Sequence, residues 1–381
     1  MFYYFLIIYQ IFGIFFRTLL NWEYIDEISI VCFLIVALFR TNIFNNREFK
    51  ILCIYILFSL MYSFAFSVNR NIYAICLDAF QQFKPFLMFY AVYMLWHKPL
   101  TAFQNRNLAK LSFLLATISF LIILISGDIH AFYGHPGNYS CSILCFAIIH
   151  YFFTKGKNTK ATFLIMLFGI IGGRSKMFGE VVLVGYILFA LKKKFKFNFK
   201  YLLVSCFLLV GIIFVAREKI SIYLYGDDVS TVDQMARTLF YTNMPYLLLH
   251  YFPFGSGLAS YATWFSGVYY SPLYAELGMS NVYGITWDFY DFVADTYFPS
   301  LAEFGALGIF LFLLFWVKRY KVFREVNYHY KMKLIILGVL AIESIASPFI
   351  VSAAGVIPII VLAINEKECL TFPVIYDKYY E

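Results

Sequence analysis

The sequence predicts an all-α, polytopic integral membrane protein with about 11–12 transmembrane helices and one long extracytoplasmic loop. Three observations predict this class. Hydrophobic residues make up 62% of the 381 residues and charged residues only 14%, whereas a soluble domain carries about 25% charged residues. Many apolar segments approach the length of about 20 residues that crosses a bilayer. Lysine and arginine recur in alternate connections between these segments, as the positive-inside rule expects.

The first element is the apolar segment MFYYFLIIYQIFGIFF. It lacks a basic leader and a small-residue cleavage site, so it predicts a retained helix and not a signal peptide. The stretch 332–364 contains Pro348 and Pro358 and predicts two short helices or one kinked helix. The single spans are predicted near residues 2–20, 26–40, 51–67, 79–96, 111–126, 138–153, 161–175, 176–191, 200–216 and 299–317.

The basic connections predict the topology. They alternate with connections that carry few cations, so the positive-inside rule assigns them and the N-terminus to the cytoplasm. The chain then divides into transmembrane helices at 1–216, an extracytoplasmic loop with short amphipathic helices at 217–298, and C-terminal transmembrane helices with a short tail at 299–381. The connections also explain the net charge of +8, so no nucleic-acid partner is expected. They lie at 40–50, 97–110, 154–160, 192–200 and 318–333.

Two arginines fall on the predicted outer side, contrary to the positive-inside rule. Arg174 lies in the turn IGGRSK between two predicted spans, and Arg237 lies in a helix-like run at 232–250, one turn before Tyr241. A cation near membrane depth marks a functional site by default. The alternative for Arg174 is contact with lipid headgroups, and the alternative for Arg237 is an interfacial helix with a solvated charged face. The glycine pair before Arg174 indicates close backbone packing and favours a site.

Other outer residues extend this candidate site. Lys176 and Arg217 are further cations, for which contact with lipid headgroups is the alternative, and Glu180 is a candidate ion-pair partner of Lys176. Guanidinium groups bind phosphate oxygens with a planar fork, while aromatic side chains and carboxylates suit sugars. The acidic pair at 227–228 has no companion ligands and predicts a solvated turn, so neither a metal nor a cofactor is expected.

Four stretches follow one another in the chain: FYGHPGNYS at 132–140, GGRSKMFGEVVLVGYILF at 172–189, RTLFYTNMPYLLLHYFPFGSGLASY at 237–261 and DTYFPSLAEFGALGIFLFLL at 295–314. In this order they resemble the O-antigen polymerase and O-antigen ligase superfamily, and the resemblance covers about residues 130–317. Ligases of that family carry a His just before the last of these spans, where this chain has Ala294, Asp295 and Thr296. The missing His favours a polymerase.

The resemblance implies a metal-independent glycosyltransferase of the bacterial cytoplasmic (inner) membrane. Such a polymerase transfers a growing glycan from undecaprenyl diphosphate to a new lipid-linked repeat unit, for lipopolysaccharide or capsule, in contact with membrane lipid. The resemblance alone implies a chain-length regulator protein as a partner. Arg174 and Arg237 match the family's arginines, and Asp295 is the first candidate base. The expected substrate-binding residues are Lys176, Arg217, Tyr241, His250, His135 and Glu303.

Several alternatives stay open at this stage. Glu303 is as readily a polar residue of helix packing, and a lone histidine such as His135 or His250 is more often structural. For the whole chain the alternatives are an O-antigen ligase, a lipid-linked oligosaccharide flippase, a glycosyltransferase that uses polyprenyl-phosphate sugars, and a membrane scaffold. The absence of a visible internal repeat weakens the flippase, and the short first outer connection near 20–25 weakens the polyprenyl-phosphate enzyme.

Overall fold

The computed structural model describes residues 1–17, 19–20, 24–192, 236–321 and 327–371. Within these ranges the regular elements are helical and no strand occurs, so the predicted all-α class is confirmed for them. The α-helices are α1 (Phe2–Ile8), α2 (Ile25–Arg40), α3 (Arg47–Phe66), α4 (Ile72–Leu95), α5 (Ala102–Ser126), α6 (Ile129–Tyr133), α7 (Pro136–Phe153), α8 (Thr159–Phe168), α9 (Ser175–Gly185), α10 (Ala236–His250), α11 (Trp264–Val268), α12 (Leu273–Glu276), α13 (Gly305–Lys321), α14 (Tyr328–Ala346) and α15 (Val356–Thr371).

Three helical stretches of the described chain are long and apolar enough to cross a membrane. They are α3, α5 and Phe298–Lys321, the last of which combines a 3-10 segment with α13. Two shorter apolar stretches are Phe2–Phe15 and Thr159–Gly172. These helices are consistent with a membrane protein. The predicted span at 200–216 lies outside the described residues.

Helix α3 shows the inverted polarity of a lipid-facing helix. Its Ile54, Leu57 and Met61 side chains are more than half exposed, whereas Ser59 and Ser63 are buried. A helix of a soluble protein turns its apolar stripe inwards. Small polar residues at the inner face of α3 instead allow close helix packing, as they do between membrane helices.

Helices α7 and α15 form the centre of the bundle. Almost every residue of α7 between Tyr139 and Phe153 is buried, and so is α15 from Val356 to Glu366. Helix α7 packs against α5, α8, α14 and α15, while α15 also packs against α4. For the stretch 332–364 the structure has two helices, α14 and α15, with a non-α-helical connection at 347–355.

The stretch 236–302 forms a second, smaller core. Phe240, Tyr261, Tyr274, Ile285 and Val293 are all buried in it. Aromatic side chains supply much of this core, which explains how a segment with few long helices can stay folded. A Cβ atom on Gly255 would lie 2.4 Å from the backbone nitrogen of Gly305, so only glycine permits this contact between the second core and the start of α13.

Candidate functional site

Two helices begin side by side at the candidate site. His135 is the N-cap of α7, and Arg174 is the N-cap of α9. Gly172 makes this contact possible, because a Cβ atom there would lie 2.6 Å from Ser140 Oγ and 3.3 Å from the Pro136 carbonyl oxygen. The close backbone packing predicted from the glycine pair is therefore present. Helix N-termini carry partial positive charge, so their meeting creates a region that favours anions.

A cavity of about 210 Å³ opens at these helix starts. Three cations line it, namely Arg17, Arg174 and Lys176, together with the carboxylate of Asp295. The remaining residues of the wall are mostly small or polar. They are Gly13, Ile14, His135, Gly137, Asn138, Cys141, Ser142, Ala346, Ser347, Pro348, Phe349, Ser352 and Ala354. The cavity thus joins the N-terminal segment to α7, α9 and the connection between α14 and α15.

Arg17 and Arg174 form no ion pair with Asp295, the carboxylate of the wall, although Arg174 lies near enough to lower the pKa of Asp295. Within the described ranges neither side chain makes a salt bridge or a hydrogen bond, and both are half-buried. A partly desolvated guanidinium without a carboxylate is costly unless an anion binds to it. The two arginines are therefore the side chains best placed to receive a negatively charged ligand.

Lys176 is held differently. Its ammonium group forms a salt bridge to the carboxylate of Glu343 and lies 3.1 Å from Ser347 Oγ. The predicted ion pair with Glu180 is wrong, because Glu180 is buried beside Glu343 and makes no hydrogen bond to Lys176. Helix α14 packs against α9 and brings Glu343 to the lysine. Lys176 thus contributes a fixed cation, already partnered, to the cavity wall.

Asp295 forms an ion pair with Arg237. Burial raises the pKa of the Asp295 carboxyl above its ordinary value, although Arg237 and, more weakly, Arg174 and Lys176 lower it. The net shift makes this carboxylate a stronger base than an exposed aspartate. Arg237 does not line the cavity, but it holds a carboxylate that does.

His135 faces the cavity as a hydrogen-bond donor. Its Nδ1 accepts a hydrogen bond of 3.0 Å from the backbone N–H of Gly137, so Nδ1 carries no proton. Burial lowers the pKa of His135, and the nearby Arg174 lowers it further, so the ring is neutral at physiological pH. The proton of a neutral ring then lies on Nε2. His135 can therefore donate from Nε2 to a ligand oxygen.

Two other predicted residues lie outside the cavity wall. Tyr241, one turn after Arg237, donates a 2.8 Å hydrogen bond to the carbonyl oxygen of Ile345 and ties α10 to the end of α14. His250 is exposed at the far end of α10, about 20 Å along the helix from Arg237. It stacks on Tyr246. Arg217 lies outside the described residues.

Glu303 is buried and holds the backbone of the second core. Its Oε1 accepts hydrogen bonds from the backbone N–H groups of Ser260 and Tyr261 at 2.7 and 2.8 Å. Asp78 does the same for the N–H of Ala259 at 2.8 Å. Ala259 has a positive φ of 58°, which an alanine adopts only when its surroundings impose it. These contacts give Glu303 a packing role, the alternative that the sequence left open.

Sequence reasoning missed Arg17 and Glu343. Arg17 follows an apolar run and reads as the end of a first helix, while Glu343 lies near the end of a span with no motif around it. A search of the described residues for three or more His, Cys, Asp or Glu side chains that could hold a metal finds no group. No protein-family model matches the chain, and neither the curated proteins nor the solved structures give a match.

Proposed function

We propose that the chain is a polysaccharide polymerase of the bacterial cytoplasmic membrane. It transfers a growing glycan from undecaprenyl diphosphate to a new lipid-linked repeat unit at the outer face. One observation carries the proposal: Arg17 and Arg174, which form no ion pair among the described residues, line a single cavity with Lys176, two helix N-termini and the carboxylate of Asp295. That carboxylate is itself paired with Arg237. This combination suits a reaction in which a diphosphate leaves and a sugar hydroxyl attacks.

The charges of the cavity match a diphosphate. Lys176 is neutralised by Glu343 and Asp295 by Arg237, so the charges of Arg17 and Arg174 remain. A diphosphate that joins a lipid to a sugar carries two negative charges. Arginine binds such oxygens bidentately, and a water-poor site strengthens the contact.

The proposed step breaks the bond between the donor sugar's anomeric carbon and the diphosphate oxygen. Its electron pair passes to the diphosphate, where Arg174 and Arg17 stabilise the growing charge and His135 donates from Nε2. A hydroxyl of the acceptor sugar forms the new bond to the anomeric carbon and gives its proton to the carboxylate of Asp295. Arg237 keeps that carboxylate oriented, as a positioning residue.

Exposed aromatic side chains near Asp295 support a glycan substrate. Tyr283 and Phe292 expose 69 and 39% of their surface, and their ring centroids lie 5.7 Å apart. The backbone N–H of Asp295 donates to the carbonyl oxygen of Phe292 at 3.3 Å, which places Phe292 close to the residue that lines the cavity. Aromatic faces suit sugar rings.

The proposed membrane topology follows from the positions of the basic connections. The full chain has about 11–12 transmembrane helices, and residues 217–298 form the long loop at the outer face. Its partners are the lipid-linked oligosaccharide, membrane lipid and a chain-length regulator protein. No metal takes part.

The test is a surface-glycan gel of the source bacterium after deletion of the gene. The deletion is complemented with the wild type, with Arg174→Gln, or with Arg47→Gln as a control that removes an exposed cation from α3. We expect the deletion and Arg174→Gln to leave a single capped repeat unit in place of a ladder, while Arg47→Gln restores the ladder. Full-length polymer retained on the carrier lipid would identify a ligase instead. An unchanged ladder after deletion would reject both activities.

A further inference from the structure

A second cavity lies at the opposite end of α7 from the candidate site. Its volume is about 530 Å³, and residues from α5, α7 and the start of α8 line it. The N-terminus of α7 borders the first cavity, and Phe153 at the C-terminus of α7 lines the second. The length of α7 separates the two by about 25 Å. The second cavity is therefore independent of the proposed polymerase site.

The wall of the second cavity is basic. It contains Arg106, Lys110, Lys155 and Lys157, and none of the described residues that line it is Asp or Glu. Lys155 forms a 2.8 Å salt bridge to the buried Glu368, so its charge is neutralised. Arg106 and Lys110 are exposed, and neither has an ion-pair partner in the described part of the chain. The cavity therefore keeps a positive charge.

The N-terminus of α8 also favours an anion. The N-terminus of α8 meets the cavity at Asn158 and Ala161, and the Asn158 side chain does not cap it. Its first N–H groups have no partner within the helix and are suited to an anion. His150, only 4% exposed, also lines the cavity. Its Nδ1 donates a 2.8 Å hydrogen bond to Thr162 Oγ1, because that hydroxyl itself donates to the carbonyl oxygen of Asn158.

We propose that this cavity binds the phosphate headgroup of an anionic phospholipid. Phe113, Phe153 and Ala109 add apolar surface to the same wall, which suits the first carbons of acyl chains next to a headgroup. Basic pockets between membrane helices bind anionic lipid headgroups in this way. A soluble phosphate ester has the same headgroup chemistry but makes no use of the apolar wall.

The test uses the full-length protein purified in a neutral detergent. Native mass spectrometry follows binding of dioleoylphosphatidylglycerol, with dioleoylphosphatidylcholine and glycerol 3-phosphate titrated in parallel. We expect phosphatidylglycerol to bind in preference to both. The double variant Arg106→Gln/Lys110→Gln should weaken that binding about 30-fold, from about fivefold for each cation near the lipid surface. Ala161→Phe, which fills the cavity without changing its charge, should weaken it as well.

The matched control is Arg47→Gln/Lys50→Gln. It removes two exposed cations near the start of α3, outside the cavity wall, and should leave binding unchanged. Equal binding of phosphatidylcholine, or equal loss in the control, would overturn the proposal. If glycerol 3-phosphate binds as tightly as phosphatidylglycerol, the cavity is a site for a soluble phosphate ester, and the proposal of a lipid ligand is overturned. None of these outcomes depends on polymerase activity.

Discussion

Arg319 and Arg174 are both removed from full solvent contact, but their surroundings differ. Arg319 is 4% exposed, makes salt bridges to Glu48 and Glu366, and lies over the rings of Phe89 and Phe315. Arg174 is half-buried beside a cavity, without a salt bridge in the described residues. The protein itself meets the electrostatic requirements of Arg319. Arg174 forms no such pair, and under the proposed function an anionic ligand supplies its counter-charge. This difference would separate a structural cation from a binding cation.

The largest effect is expected from Arg319→Met. This change leaves Glu48 and Glu366 without their shared cation, and breaking a buried ion pair costs about 3–5 kcal/mol. Denaturant unfolding in detergent should show a loss of that size. Lys318→Gln removes the exposed partner of the same Glu48 and should cost no more than about 1 kcal/mol. Equal losses in the two variants would show that burial does not distinguish them.

Arg174→Gln should lower activity and leave stability nearly unchanged, in contrast to Arg319→Met. Loss of one preorganised donor to a developing negative charge lowers kcat by about 10²–10³-fold. The free energy of unfolding should change by no more than about 0.5 kcal/mol, because the side chain has no partner to leave behind. Transfer of glycan between synthetic undecaprenyl-diphosphate oligosaccharides measures the rate. Arg17→Gln should act in the same direction, and a stability loss like that of Arg319→Met would contradict a binding role.

The Asp295–Arg237 pair predicts a specific pH dependence. The unprotonated carboxylate is the base, so the rate should fall as the pH falls through the pKa of Asp295, which burial raises above the ordinary value. Arg237 lowers that pKa, so in Arg237→Gln the residual rate should fall off at a higher pH. Asp291→Asn, which changes an exposed neighbouring carboxylate, should leave the profile in place. A profile unmoved by Arg237→Gln would remove Asp295 from the role of base.

His135 permits a smaller test with two complementary variants. His135→Asn keeps an oxygen near the position of Nδ1 and preserves the N-cap of α7, but it removes the donor at Nε2. His135→Gln keeps a donor near Nε2 and loses the cap, at a cost of about 1 kcal/mol. We expect the asparagine variant to lose rate with little change in stability and the glutamine variant to do the reverse. If both lose stability alone, His135 is only a cap.

Much of the helical pattern could be predicted from composition and hydropathy. Helix α2 at Ile25–Arg40 matches the predicted 26–40, and α3 differs from 51–67 only because Asn46 caps the helix earlier. Helix α4 begins at Ile72, seven residues before the predicted 79. A hydropathy pattern places the apolar centre of a helix, whereas capping residues and polar first turns set its ends.

The candidate site, too, was predictable from the sequence only in part. The sequence alone determined the helical class and singled out His135, Arg174, Lys176 and Asp295, because cations and carboxylates at the ends of apolar segments are costly and stand out. The tertiary structure decided that these residues share one cavity, that Arg17 joins them, and that Lys176 pairs with Glu343. The physical reason is that an ion pair depends on which helices pack together. Glu343 on α14 lies 167 residues after Lys176 in the chain, and no local sequence pattern encodes their contact.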